Sequence, residues 1–155
     1  LLVDCDMRLG RTHKIFGISN EQGLSNLLIE PNLNDWKTYI ERTQVRNLFV
    51  ITRGTVPPNP SELLNSENAK KLVEKFKEKF DYIILDGVPV NGLPDSLIMA
   101  GLADRVVLVS SVGLTNIDEL NKAKKALENV DANIAGVVVN RTPITKRGKY
   151  SNYYE

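Results

Sequence analysis

The sequence predicts an α/β fold, a doubly wound and mainly parallel sheet. Two observations carry that reading: five short apolar runs rich in Val and Ile, and amphipathic helical patterns lying between them. The runs cover residues 1–3, 48–51, 82–85, 106–109 and 134–139. Each is continuous rather than alternating, which predicts strands covered on both faces, as right-handed βαβ units provide.

Taken in order, the first run leads straight into Asp4, Cys5 and Asp6. Cys5 is the only cysteine and can form no internal disulfide, and its apolar neighbours predict a small buried side chain. His13 and Lys14 fall in a short helix. Residues 24–29 and 35–42 carry weaker helical patterns, and Trp36, Tyr39 and Ile40 in the second have the spacing of packing residues. After the second strand, Asn59-Pro60 reads as an N-cap followed by proline at the first helical position of a helix reaching residue 64. Residues 66–80 place Leu72, Val73, Phe76 and Phe80 on one face, with lysines and glutamates opposite. Residues 115–130 set Thr115 and Asp118 at capping-box spacing and predict burial of Ile117, Leu120, Leu127 and Val130.

At 155 residues, without repeats or a dividing linker, the chain reads as one domain. A formal net charge of +1 gives no pull toward nucleic acid or anionic lipid. No apolar stretch approaches the roughly 18 residues of a membrane span, and no signal peptide is visible. A cytoplasmic location is therefore expected. An opening directly on a core strand predicts that a segment upstream is missing.

In an open parallel sheet, ligands bind beyond the carboxyl ends of the strands. Asp4 and Asp6 follow the first strand and Asp86 closes the third run, so all three are expected to face one crevice. Carboxylates so placed can hold Mg²⁺ together with phosphate oxygens, or take a proton from an attacking hydroxyl. Strand-end aspartates also cap helices and close Asx turns, and residue types alone leave both readings open.

Longer segments carry a resemblance. The string Leu1-Leu2-Val3-Asp4-Cys5-Asp6-Met7-Arg8 is similar to the Walker A′ motif of the bacterial tyrosine kinases of capsule and exopolysaccharide synthesis. Residues 13–17, 23–28 and the proline-rich Gly54-Thr55-Val56-Pro57-Pro58-Asn59-Pro60-Ser61-Glu62-Leu63-Leu64 resemble the same family, and residues 80–86 resemble its Walker B strand. The resemblance implies a fold of the deviant-Walker P-loop NTPase type. It also implies ATP and Mg²⁺ as cofactors, catalytic roles for Asp4, Asp6 and Asp86, and metal binding by Asp6 and Asp86. One A′ aspartate would be the base toward the tyrosine hydroxyl. Arg8 would meet a phosphate or a neighbouring subunit. Asn140, with Arg141 at the end of the last strand, would sit near the nucleotide base, whose paired edge an amide can both donate to and accept from. Tyr150, Tyr153 and Tyr154 would be phosphoacceptors in a flexible tail over residues 146–155, beyond a partial kinase domain over residues 1–145. The family further implies homo-oligomers, protein-tyrosine substrates and a membrane-embedded chain-length regulator that holds the kinase at the inner face of the membrane.

The chain departs from the family in two places. No Gly-x-x-x-x-Gly-Lys-Ser/Thr string occurs; Gly148-Lys149 has Pro143 at the required glycine position and Tyr150 after it. In the family that loop precedes the A′ strand. The chain is therefore expected to be a truncated product, or a degenerate relative that relies on another protein, and to be inactive alone. In addition, Asp86-Gly87-Val88-Pro89 replaces the family's Asp-Thr-Pro-Pro. Two other readings stand beside the kinase: a catalytically silent phosphoacceptor or assembly module, and an ATPase of the partitioning MinD and ParA type. The second gives no reason for the proline-rich segment or the tyrosine tail.

Overall fold

The computed structural model describes residues 1–143. Within them the strands are β1 (Leu2–Asp4), β2 (Glu41–Arg42), β3 (Phe49–Ile51), β4 (Ile84–Asp86), β5 (Val106–Ser111) and β6 (Ile134–Asn140). The helices are α1 (Thr12–Phe16), α2 (Leu24–Leu28), α3 (Pro60–Leu64), α4 (Glu67–Lys77), α5 (Asp95–Ala100) and α6 (Ile117–Glu128).

The strands form two sheets. One has the order β2-β3-β1-β4 and the other pairs β5 with β6. β1 runs parallel to both neighbours, with Val3 opposite Ile51 on one side and Leu85 on the other. β5 and β6 are also parallel, and only β2 runs antiparallel, along β3. The expected mainly parallel α/β architecture is present, but its strands do not join in one sheet.

Layers cover both faces of β1 and β3, and Val3, Val50 and Ile51 are essentially inaccessible. Leu27, Leu72, Phe76 and Met99 close that core, and Trp36 packs on Phe76 at 5.4 Å between ring centroids. A second, smaller core gathers Ala100, Leu108, Ala123 and Leu127 around β5 and α6.

Elsewhere the expectation of two covered faces is corrected. Ile84, Val107, Val109, Val137, Val138 and Val139 are all exposed. An apolar run records what a strand could bury, not whether a layer lies against it. Tyr82, expected to be packed, is 83% exposed, because β4 begins two residues later.

Three local readings also change. Residues 35–42 form a 3-10 turn at Trp36–Tyr39 followed by β2, since Ile40 turns to extended backbone and the chain joins the sheet edge. The cap of α6 is Asn116, whose side chain accepts from Glu119 N at 2.8 Å; Thr115 instead accepts from Ser111 N. That one-residue shift leaves Ile117 exposed, and Val130 falls beyond the helix. Helix α5 carried no sequence signal, because six residues are too few to show a period.

Candidate active site

β1 and β4 both end on an aspartate, and their parallel register sets Asp4 opposite Asp86. The ladder continues one step further, with Cys5 N donating to the Asp86 carbonyl at 2.9 Å. The chain then turns, and Asp6 closes that turn by accepting from the backbone N–H of Arg8 and of Leu9 at 3.1 and 2.9 Å. The register places two carboxylates in line, and the turn carries the third, one residue beyond Cys5.

Their surroundings differ. Asp4 is fully buried; its Oδ2 accepts from both the amide and the hydroxyl of Thr12, while Oδ1 has no partner among the described residues. Gly10 lies directly over it, so that a methyl group at residue 10 would overlap the Asp4 carboxylate. Asp86 is exposed at the strand end. Its carboxyl is nonetheless pushed above the usual carboxylate range, first by partial desolvation against the sheet and then by the negative charges of Asp4 and Asp6. Asp6 therefore acts on Asp86 through space, and the three acids belong to one electrostatic unit. The buried Cys5 thiol beneath them is pushed up strongly, by desolvation first and then by Asp4 and Asp86, which keeps it an inert packing group.

Arg8 has a definite partner. Its Nε donates to Asp95 Oδ2 at 3.0 Å, and Ser61 donates to the other oxygen of the same carboxylate. Asp95 is 1% exposed, at the start of α5. Burial pushes its carboxyl up, but the hydrogen bonds from Arg8 and Ser61 outweigh it and hold the group below the usual range. A second guanidinium, that of Arg53 after β3, donates to the Met7 carbonyl at 3.2 Å. The proline-rich segment starts from a fixed base: Gly54 has φ of +80° where chain and α2 meet, and Ser25 donates to the Thr55 carbonyl at 2.6 Å.

Gly10, Thr12, Ser61, Arg53 and Asp95 thus shape the site without having been singled out in the sequence. Ser61 lies inside the unusual proline-rich string, which is a signal of a kind. Asp95, isolated between β4 and β5, offered none.

Asn140 ends β6, in the other sheet, and Arg141 follows it. Asn140 is exposed, its side chain accepting from Arg141 N at 2.7 Å. No hydrogen bond or ion pair among the described residues links either of them to the acidic strand ends. Tyr150, Tyr153 and Tyr154, and the boundary at residue 145, lie outside the described residues.

Two carboxylates on adjacent strand ends, one of them (Asp4) with an unpartnered buried oxygen, a third at Asp6, and mutual repulsion felt at Asp86 form a hard-oxygen donor set that suits Mg²⁺. No group of three acidic, histidine or cysteine side chains among the described residues is close enough to surround a metal by itself. Magnesium does not require one, since it keeps several waters and phosphate oxygens alongside one or two carboxylates. The residues are less complete toward ATP. Asn140 has the amide for a base edge, but no P-loop string is available to wrap the β- and γ-phosphates.

No protein-family model matches the chain. By sequence it is 37% identical over 154 residues to a Staphylococcus aureus protein named for tyrosine-protein kinase CapB, an alignment covering 99% of this chain and 67% of that protein. It is 32% identical over 153 residues to tyrosine-protein kinase YwqD of Bacillus subtilis, covering 99% and 64%. Among solved structures it resembles the chimerical protein CapA2B2, with a TM-score of 0.85 and 37% identity over 92% of this chain and 62% of that one. The kinase domain of the Escherichia coli tyrosine kinase ETK matches with a TM-score of 0.86 and 32% identity, over 99% and 60%. The chain spans about two thirds of the length of these relatives.

Proposed function

The chain belongs to the bacterial protein-tyrosine kinases, and from that premise we propose that residues 1–143 supply the metal-and-base half of a site for ATP-dependent phosphorylation of protein tyrosine. The observation that carries this reading is the pairing of Asp4 with Asp86 at the carboxyl ends of two adjacent parallel strands, with Asp6 close enough to raise Asp86.

Bound Mg²⁺ supplies charge neutralisation between the phosphates. The chain's own residues do the rest. Asp6 and Asp86 would hold the metal. Asp4, buried under Gly10 and held by Thr12 with its Oδ1 unpartnered among the described residues, would contribute the negative potential of the site. One A′ aspartate, Asp4 or Asp6, would take the proton of a tyrosine hydroxyl. Asn140 would take the base edge, with Arg141 beside it. The phosphate cradle must come from a P-loop that residues 1–155 do not contain. The domain would act beside a membrane-embedded chain-length regulator in capsule or exopolysaccharide export, phosphorylating its own tyrosine tail in an oligomer. No helix among the described residues is long and apolar enough to cross a membrane, so the reading places membrane attachment on a partner, and the CapA2B2 chimaera supports a partnered arrangement.

The test is a fusion of residues 1–155 to the P-loop unit of a relative such as YwqD. Magnesium-dependent phosphotyrosine is expected, and it should be lost in D86N and in D6N. A folded fusion that binds ATP yet makes no phosphotyrosine would favour the silent phosphoacceptor module instead.

A further inference from the structure

Arg8 stands two residues after Asp6, and its backbone N–H is one of the two groups that hold the Asp6 carboxylate. The side chain of Arg8 has a different partner, Asp95, which is buried and also bound by Ser61; the Arg8 guanidinium lies 3.5 Å from the Ser61 hydroxyl. Three segments distant in sequence therefore meet at one carboxylate: the turn after β1, the start of α3 and the start of α5. The turn is what sets Asp6 beside Asp86, and nothing else charged on α3 or α5 grips Arg8 among the described residues.

We propose that Asp95 and Ser61 are positioning residues for metal binding: they hold Arg8, and through Arg8 the turn that presents Asp6 beside Asp86. This rests on the reading of Asp6 and Asp86 as magnesium ligands. Asp95 itself does not touch the metal. Its role is that of an outer partner, of the kind whose loss costs metal sites about tenfold or more in affinity.

Charge alone makes a different forecast, and this separates the two. If Arg8 and Asp95 acted only as charges near the site, removing the cation would tighten cation binding, removing the anion would loosen it, and removing both would leave it unchanged. If they position the turn, R8A, D95N and the double variant R8A/D95N should all bind more weakly, and the double variant should be no worse than the singles.

The measurement is Mn²⁺ binding to the full 155-residue chain by water-proton relaxation, at a temperature where circular dichroism shows each variant folded. The double variant guards against misfolding, because it leaves no unpaired buried charge. D86N is the control for the underlying reading, and wild type should bind at least tenfold more tightly than D86N. R8A/D95N is expected to lose about tenfold, and S61A a smaller part of that. Wild-type affinity in R8A/D95N with D86N impaired would overturn the positioning role and leave the metal reading standing. Equal affinity of wild type and D86N would overturn both.

Discussion

At the scale of single residues, Asp86 and Asp95 respond in opposite directions to pH. Asp86 is held above the usual range, so the folded state binds its proton more readily than the unfolded chain. Stability should therefore fall as pH rises from the ordinary carboxylate range through that raised value. Metal affinity should rise over the same interval, as the carboxylate becomes free to bind. Titrations of Mn²⁺ affinity against pH should show this rise in wild type and lose it in D86N. Asp95 is held below the usual range. Its contribution is present above the ordinary value of about 4 and is lost as pH falls through the lowered one. Acid unfolding followed by circular dichroism should therefore be steeper in wild type than in D95N. Removing Arg8 alone is the harsher change, because it strands the buried Asp95 charge; the cost is expected to be on the order of 3 kcal/mol, read from urea midpoints.

At the scale of elements, the site depends on how closely the turn after β1 lies on the strand end. Gly10 packs against the Asp4 carboxylate with no room for a side chain, so G10A must displace either the turn or Asp4. It is expected to weaken Mn²⁺ binding and to lower stability by about 1–3 kcal/mol, in the range of an overpacked interior. Helix α6, whose Ala123 and Leu127 belong to the smaller core, offers a control. Its capping box joins Asn116 and Glu119, and N116A should cost about 1 kcal/mol with no change in metal affinity. Equal loss of metal affinity in N116A and G10A would mean that the turn has no special part in the site.

At the scale of the whole molecule, residues 1–155 should bind ATP negligibly on their own, since phosphate-wrapping amides and the P-loop lysine are missing from the sequence. Isothermal titration with ATP and Mg²⁺ checks this, and micromolar binding would mean that another loop supplies the cradle. Given an active kinase of the family, the chain is expected to be labelled chiefly on Tyr150, Tyr153 or Tyr154, as mapped by mass spectrometry. Of the two tyrosines outside the tail, Tyr39 donates its hydroxyl to Glu30 and Tyr82 is open to solvent. Labelling mainly at Tyr39 or Tyr82, or label surviving replacement of all three tail tyrosines by phenylalanine, would remove the tail as acceptor.

By itself, the sequence determined the α/β class, the parallel strands through the acidic ends, and the family. Strand-end aspartates and the proline-rich string are local features, and local order along the chain records them fully. It also marked Cys5 and Trp36 as buried packing groups, as they are. What only the tertiary structure decided depends on contacts between distant segments. The split into two sheets, with bare valines on β5 and β6, follows from which strands find a hydrogen-bonding neighbour. The sealing of Asp4 under Gly10 and the gripping of Arg8 by Asp95, 87 residues away, are invisible to any period or spacing. A carboxylate's role is set by what surrounds it, and in this fold those surroundings come from segments that meet only once the chain has folded.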